Sequence, residues 1–450
     1  MKIASKALHL SGLQDQSGVV VVLVAILMLV FLGIAALAID LSNLYVVRNE
    51  LQNAADAGAL AGARFLYNED GTLVNEGANQ IAYDAAIANK ALAMTGAIAV
   101  DVNWEEDEED GNIGDVQRGH WSFATRTFTA NDSLLPVDLW NVSTEDLDAD
   151  PNFINAVRVE ARRQRTPGTP AASFFARILG YENFELSADA VAYIGFAGSL
   201  RPADVDQPIA ICKQAITNSD GDYTCNTGRM IDSGGGTTHN SGAWTNFSQP
   251  CDTASASSVR PLVCGGGNPD EVSFGDGMGT VGGMQNNVYS DLRDCWLDEP
   301  SLEKDSRGYP TEAWGLTLPV VDCPGNNPGP CSEVVGTVTL DVLWIKQAST
   351  DPQWMDIPLQ MQGWECSVWV NAGRPENINL LDTTQRQQCW QEFASEFNLR
   401  TADRTSVGDL TPSDLQKTVF FLPNCEPHEP KGVSGGQNFG VLARIPVLVE

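Results

Sequence analysis

The chain of 450 residues is too long for a single compact core and predicts several modules. Its formal net charge of −31 at pH 7 repels phosphate backbones and argues against nucleic acid as a partner. With 41 glycines, 23 prolines and 19% charged residues, the composition indicates a turn-rich body that contains β-structure and argues against a helical bundle.

Residues 19–39, VVVVLVAILMLVFLGIAALAI, form an uncharged apolar run that predicts a transmembrane helix. As a helix the run would be about 32 Å long, enough to cross a hydrocarbon core of about 30 Å. Lys2 and Lys6 precede it, whereas nearly all acidic residues follow it. The positive-inside tendency therefore places residues 1–18 in the cytoplasm and the acidic body on the other side.

Two other interpretations of this run are a cleaved signal peptide and a type IV prepilin. Ala36-Leu37-Ala38 fits an A-x-A cleavage pattern, but the run exceeds the usual signal-peptide apolar region of about 7–15 residues. Prepilin processing requires a glutamate five residues after the processing glycine, here Gly18. Leu23 occupies that position, which argues against a prepilin. An uncleaved anchor is the interpretation that the sequence favours.

Residues 40–67 predict a helix that continues the anchor outside the membrane, since apolar residues recur at spacings of three and four without a proline. Small residues lie along this helix in two stripes, which are Ala54, Gly58, Gly62 and Ala55, Ala59, Ala63. Such a smooth surface lets another helix approach closely. The sequence leaves open whether these residues contact another chain or the protein's own domain.

The stretch QSGVVVVLVAILMLVFLGIAALAIDLSNLYVVRNELQNAADAGALAGA resembles the N-terminal region of the TadE/TadG-like Flp pilus-assembly family. The residues that carry the resemblance are Gly18, Asp40, Leu51, Gln52, Asn53 and Asp56. Gln16 departs from the family, which usually has a basic residue there. A looser resemblance follows in NAVRVEARRQ, FFARILG and LSADAVAYIG. The resemblance implies a role in assembling tight-adherence pili at the cell envelope, and it supplies no catalytic residues.

Residues 68–200 predict a small α/β domain. The predicted elements are a helix at 76–94, an acidic loop at 101–115, strands at 121–130, 153–165 and 184–196, and a short helix at 170–180. The acidic loop is interpreted as a solvated segment, with a calcium site as the alternative.

Residues 201–450 predict a β-rich, cysteine-rich domain that follows a linker at 201–208. Strands are expected at 333–345 and 439–449, with a possible insertion at 346–418. All ten cysteines lie in this region, and no C-x-x-C occurs. We therefore expect disulfides in an oxidising compartment, and we expect no metal site. Cysteines that are close together in the sequence suggest three disulfides, which are Cys212–Cys225, Cys251–Cys264 and Cys323–Cys331. The sequence does not fix the connectivity.

Short matches to enzyme signatures are interpreted as loops or surface segments. The G-x-G-x-x-G at 277–282 lacks the strand and helix of a dinucleotide site, and the G-x-S-x-G at 432–436 has no histidine after it. Asn218, Asp220 and Asp222 resemble the start of a calcium loop, but the later ligands are absent, so a turn is favoured. We therefore expect no catalytic residues and no cofactor.

The predicted fold class is α+β, with one N-terminal transmembrane helix that extends into a long helix, a small α/β domain and a β-rich disulfide-containing domain. The function expected is that of a non-enzymatic assembly component of a Flp/Tad-type pilus, with its anchor in a bacterial inner membrane and its body in the periplasm or at the cell surface. The expected partners are the membrane and other pilus-assembly or pilin-like proteins, or further copies of the chain. A surface adhesin is the alternative, and an envelope hydrolase ranks third.

Overall fold

The computed structural model describes residues 17–69, 71–93, 96–104, 112–164, 170–218, 220–224, 229–232, 242–282, 286–324, 328–346, 354–399, 418–426 and 428–450. The predicted cytoplasmic segment up to residue 16 and the most acidic part of the 101–115 loop lie outside these residues.

The helices differ greatly in length. They are α1 (Ser17–Arg64), α2 (Ala78–Ile87), α3 (Thr144–Ala149), α4 (Lys213–Ile216), α5 (Ala256–Val259), α6 (Asn286–Asp298), α7 (Ser367–Asn371) and α8 (Thr383–Glu396).

The strands are mostly short. Those up to residue 200 are β1 (Lys90–Ala93), β2 (Gly96–Ala99), β3 (Val116–Ser122), β4 (Thr127–Ala130), β5 (Ala156–Arg163), β6 (Ala171–Ala172), β7 (Asn183–Phe184), β8 (Leu186–Tyr193) and β9 (Phe196–Leu200). The later ones are β10 (Ile209–Cys212), β11 (Arg229–Asp232), β12 (Gly242–Thr245), β13 (Val272–Ser273), β14 (Gly277–Val281), β15 (Trp314–Val321), β16 (Cys331–Ile345), β17 (Gln360–Met361), β18 (Trp364–Glu365), β19 (Thr418–Pro423), β20 (Val433–Gly436) and β21 (Val447–Leu448).

The described residues group into two compact units rather than dividing at residue 200 as the sequence predicts. The first unit draws on Met1–Ala55, Ala86–Val102 and Glu160–Asp189. The second draws on Asp56–Ala85, Asn103–Val159 and Ala190–Glu450. The predicted linker at 201–208 is part of the second unit, and Asp204, Val205 and Gln207 within it are buried.

Helix α1 confirms the predicted continuation of the apolar run into a longer helix. It has 48 residues and no proline, and at 1.5 Å per residue it is about 72 Å long. Its small residues Ala54, Ala55, Gly58, Ala59, Gly62 and Ala63 are all buried within the chain. A Cβ on Gly62 would lie 2.7 Å from Ala82 Cβ on α2 and 2.9 Å from Val157 Cγ1 on β5. In the second unit, therefore, the small residues of α1 let the helix approach its own domain closely.

A five-stranded sheet in the order β21-β8-β5-β3-β4 replaces the simple strand–helix–strand pattern that the sequence predicts. The predicted strand at 121–130 instead covers the end of β3, a turn at 123–126 and all of β4, with Trp121 opposite Phe128. The alternation of apolar and polar residues continues across this turn, so it does not reveal where the chain reverses. Arg126 takes a φ of 54° at the reversal. The predicted helix at 76–94 ends at Ile87 and is followed by β1.

Strands of the cysteine-rich region close into a ring. The neighbouring strands around the ring are β16, β14, β12, β10 and β15, each paired with the next. β15 then pairs with β16 and closes the ring. β19 pairs along the far end of β16 and carries β11 at its outer edge. β16 and β19 are neighbours, so the chain between them, where the sequence predicts a possible insertion at 346–418, leaves and rejoins adjacent strands. The described part of that insertion contributes Trp390 and Phe393 to the same core as Trp344 of β16.

The disulfides confirm a cross-linked β-rich body but not the predicted pairs. The structure joins Cys212 to Cys323, Cys251 to Cys331, Cys264 to Cys295, and Cys366 to Cys389. The predictions Cys212–Cys225, Cys251–Cys264 and Cys323–Cys331 are therefore wrong. Pairing follows neighbours in space: β10 and β15 run parallel with Cys212 opposite Val321, which brings Cys323 alongside although 111 residues separate the two cysteines.

Gly62→Ala should destabilise the chain by about 1–3 kcal/mol because the added methyl overlaps Ala82 Cβ, which has no flexible end to move aside. Gly33→Ala is the matched control on the same helix, since a Cβ there meets nothing within 4 Å. Thermal unfolding of the full-length variants in detergent measures both changes. Equal melting temperatures for the two variants would contradict the close packing at Gly62.

Removing the Cys212–Cys323 bridge should cost more stability than removing Cys366–Cys389, because it releases a loop of 111 residues rather than 23. The chain-entropy model gives roughly 5 and 3 kcal/mol, respectively. All four sulfurs belong to buried residues, so the paired alanine variants are matched in environment. Peptide mapping by mass spectrometry under non-reducing conditions checks the connectivity, and denaturant unfolding checks the order of the two losses.

Candidate functional site: the outer end of the apolar helix

The first half of α1 carries apolar side chains that nothing in the described chain covers. Val20 through Ile39 are almost all exposed, and the most apolar 18-residue window of the helix has no buried residue. By length and composition, α1 is the one helix among the described residues that is suited to crossing a membrane. The predicted span at 19–39 lies within this uncovered half.

Asp40 is the residue at which the environment of α1 changes. Only 4% of its surface is exposed, whereas the large apolar side chains before it are open. Its carboxylate accepts backbone hydrogen bonds from Phe174 N at 2.7 Å, Phe175 N at 3.1 Å and Ala176 N at 2.5 Å. These groups begin the 3-10 turn Ala176–Leu179, so Asp40 satisfies the free N–H groups of that turn.

The pKa of Asp40 reflects this cluster of donors. Burial alone raises the pKa of a carboxyl group, but the backbone N–H groups of residues 174–176 together with nearby Arg177 outweigh that effect and hold the pKa of Asp40 below its ordinary value. The ionised form is therefore the form that the turn binds.

Further polar contacts within the first unit fix this part of α1. Asn43 Nδ2 donates to the carbonyl of Ala172 at 3.4 Å, and Gln52 Nε2 donates to the carbonyl of Asp189 at 3.0 Å. Residues 40, 43 and 52 of α1 thus bond to the segment 172–189 at three levels along the helix.

A buried arginine adds charge to this unit. The Arg163 guanidinium is buried, which lowers its pKa, while attraction to Asp101 and Glu50 of α1 opposes that shift. Glu50 and Arg163 thus bring opposite charges to the helix and the end of β5.

The other residues that carry the family resemblance occupy distinct environments. Leu51 is fully buried, Asn53 is exposed and Asp56 is half-buried, while Gly18 lies in the first turn of α1. Among the residues that carry the resemblance, Asp40 and Gln52 form side-chain hydrogen bonds within the first unit. The predicted contact of the small residues with another chain stays a prediction, and in this structure those residues face their own chain.

The loop that binds Asp40 was not identified from the sequence. PAASFFARILG predicts a helix over 170–180, whereas the structure has β6 followed by the 3-10 turn. The turn is short because Gly180, at a φ of 95°, ends it after four residues. Nothing in the spacing connects it to a carboxylate 134 residues earlier.

The enzyme-like motifs have structural roles. Gly277 lies on β14, not in the predicted loop, and a Cβ there would sit 2.5 Å from the sulfurs of Cys251 and Cys331, so close packing on a disulfide explains the glycine. Ser434 Oγ donates to the carbonyl of Ile445 at 3.2 Å and accepts from Gly195 N at 3.3 Å. Both motifs therefore stabilise strands.

The weak calcium candidates form a turn. Asn218 Oδ1 accepts from Asp220 N and Asp222 N, each at 2.9 Å, as expected for an Asx turn. Within the described residues, no group of three or more histidine, cysteine, aspartate or glutamate side chains is arranged to hold a metal ion.

Asp40→Ala should free the 3-10 turn and cost about 1.5–3 kcal/mol, since it leaves three backbone donors without their charged acceptor. Hydrogen exchange at Phe174, Phe175 and Ala176 should become much faster. Ser42→Ala is the matched control on the same helix, because Ser42 Oγ donates to the carbonyl of Ala38 within α1. Unchanged protection of the turn in Asp40→Ala would contradict the assigned role.

The same contact predicts a pH dependence. Because the pKa of Asp40 is lower in the folded chain than its ordinary value of 3.8, its contribution to stability is complete above that value and is lost as the pH falls through the folded pKa. Acid titration followed by hydrogen exchange should therefore loosen 174–176 in the wild type. Asp40→Asn, which does not ionise, should lack that transition.

Comparison with known proteins agrees with these features. Residues 18–64 match the TadE/G-like Flp pilus-assembly family model, and residues 61–192 match the Tad-like Flp pilus-assembly family model. The chain matches no curated protein and no solved structure. Residues 18–192 thus match two Flp pilus-assembly family models, and the resemblance inferred from the sequence is confirmed.

Proposed function

We propose that this protein is a membrane-anchored, non-enzymatic component in the assembly of a Flp/Tad-type pilus. The observation that carries the proposal is the coincidence of the two family matches, over 18–192, with an uncovered apolar helix that ends at a buried Asp40.

The anchor is supported by the cost of leaving this helix in water. The side chains from Val20 to Ile39 include valine, leucine, isoleucine, methionine and phenylalanine at half to two-thirds exposure. A soluble chain rarely exposes so large a contiguous apolar surface. A helix also satisfies its own backbone hydrogen bonds, as a lipid environment requires.

The body is proposed to lie on the extracytoplasmic side. The disulfides of the cysteine-rich region suit an oxidising compartment, and the acidic charge after residue 40 suits the side opposite the cytoplasm. In a bacterial inner membrane this side is the periplasm or, beyond it, the cell surface.

The non-enzymatic character is proposed from how polar residues are used. The serine and glycines of the enzyme-like motifs hold strands together, and Asp40 binds a turn. The family resemblance likewise assigns no catalytic group. Partners are proposed to be other pilus-assembly or pilin-like proteins, or further copies of this chain.

A surface adhesin, the alternative, would need tryptophans of the body to line a ligand groove, and the candidates are Trp104, Trp344, Trp354, Trp364 and Trp369. Trp364 and Trp369 are half-buried. The other three rings are buried, which leaves them little surface for a ligand and supports the assembly role.

Deletion of the gene in the native bacterium tests the proposal directly. Electron microscopy should show loss of pili, and the full-length chain should restore them. A Gly33→Ala chain is the control, since the substitution lies on an open face of the span and leaves the fold intact. The intact mass of the chain extracted from membranes should include residues 1–38, whereas cleavage after Ala38 would remove them.

Crosslinking in intact cells, followed by membrane extraction and mass spectrometry, identifies the partners. Recovery of pilin-like or pilus-assembly proteins is expected. Normal pili in the deletion strain, together with lost adherence, would assign the chain to the adhesin class and overturn the proposal.

A further inference from the structure

The turn bound by Asp40 ends in large apolar side chains that the described chain leaves open. Ile178 is 79% exposed, Leu179 80% and Tyr181 63%, and Phe175 is also exposed. They lie within seven consecutive residues, on and beside the 3-10 turn that Gly180 ends. An exposed apolar cluster of this kind indicates contact with a membrane or with another protein.

The position of the cluster along α1 is fixed by the hydrogen bonds to Asp40. Asp40 directly follows the proposed span at 19–39, and its carboxylate holds the N–H of Ala176. Ile178 is two residues farther along the chain, and two residues reach at most about 7 Å. Ile178 therefore lies within roughly 15 Å of Asp40, close to the outer end of the proposed span.

Helix α1 has exposed apolar residues at the same level. Leu41, Tyr45 and Val46 follow Asp40 and remain open, although the helix has left the proposed span. Tyrosine is enriched where membrane meets water, because its ring is apolar and its hydroxyl is polar. Tyr45 and Tyr181 have this character at the boundary that Asp40 marks.

We propose that Phe175, Ile178, Leu179 and Tyr181 form a second membrane contact, in which the turn dips into the outer leaflet beside the anchor. We call these four residues the apolar tip. The proposal rests on the proposed anchor. Arg177, which is exposed within the tip, is suited to reach lipid phosphates, whereas exposed Glu182 and Glu185 stay in water beyond it.

Lipid is the occupant that the observations favour. The tip is continuous with a surface proposed to lie in lipid already, and its Ile178 lies close to the outer end of the proposed span. Two contacts, one through α1 and one through the tip, would hold the first unit against the membrane and restrict its tilt relative to the membrane plane.

Depth-dependent fluorescence quenching tests the proposal on the full-length chain. Leu179→Cys, labelled with an environment-sensitive nitrobenzoxadiazole group, is reconstituted into phosphatidylcholine–phosphatidylglycerol vesicles with or without nitroxide-labelled lipid. The described native cysteines are all disulfide-bonded, and the unsubstituted chain measures background labelling. The label at 179 should emit at shorter wavelength than in detergent-free buffer and should be quenched by nitroxides placed near the headgroups.

Two control positions separate the possible failures. Ile26→Cys, within the span, reports whether the anchor is inserted, and Leu135→Cys, 77% exposed in the second unit, reports nonspecific adsorption. The proposal expects quenching at 26 and 179 and none at 135. Quenching at 26 without quenching at 179 overturns the apolar tip but leaves the anchor intact. No quenching at either position overturns both.

A protein partner is distinguished by the same label. A blue-shifted but unquenched signal at 179 would place the tip against protein and overturn the lipid proposal. Equal quenching at 135 and 179 would indicate nonspecific adsorption and would overturn it as well. Ile178→Ser should reduce quenching of a label at Tyr181→Cys, because a polar side chain weakens insertion of the tip. Since both residues are exposed, this pair should fold as the parent chain does.

Discussion

A buried carboxylate at the end of an uncovered apolar helix is the constraint on which the rest of this account depends. Asp40 is buried directly after about twenty residues of apolar surface, and a buried charge is stable only when it is paired or hydrogen-bonded. The backbone donors of residues 174–176 meet that need. One contact therefore ties the first buried residue of α1 to the loop from β6 to β7.

The small residues of α1 beyond Asp40 also hold the helix to its own chain, and in the second unit they do so by close packing. Gly62 of α1 faces Ala82 of α2 and Val157 of β5 at distances that leave no room for a side chain. At Gly62, the smooth surface that the sequence shows is therefore a fitted contact with the helix's own domain, and this glycine is explained without a partner.

The parts of the fold that could be predicted from sequence are those with local causes. The apolar run and its helical continuation depend on neighbouring residues, and so do the strands at Ala156–Arg163 and Leu186–Tyr193, where apolar residues alternate. The Asx turn at Asn218 is likewise local. The family resemblance was carried by residues of the helix itself.

The parts that could not be predicted depend on distant residues. Cys212 pairs with Cys323 because two parallel strands bring them together, and β21 at residues 447–448 completes the sheet that begins at β3. The apolar letters of FFARILG favoured a helix, but the donors of its first residues serve Asp40 and Gly180 ends the turn early. No spacing in the sequence reports such contacts.

The most direct test of the account is an accessibility profile along α1 in lipid. Spin labels placed one at a time from residue 20 to residue 55 of the full-length chain, in nanodiscs, report contact with dissolved oxygen and with a water-soluble nickel complex. The account predicts uniform oxygen contact up to residue 39, a break at Asp40, and then a helical alternation between buried and water-exposed positions. Contact with the nickel complex throughout 20–39, or the same alternation before Asp40 as after it, would contradict it.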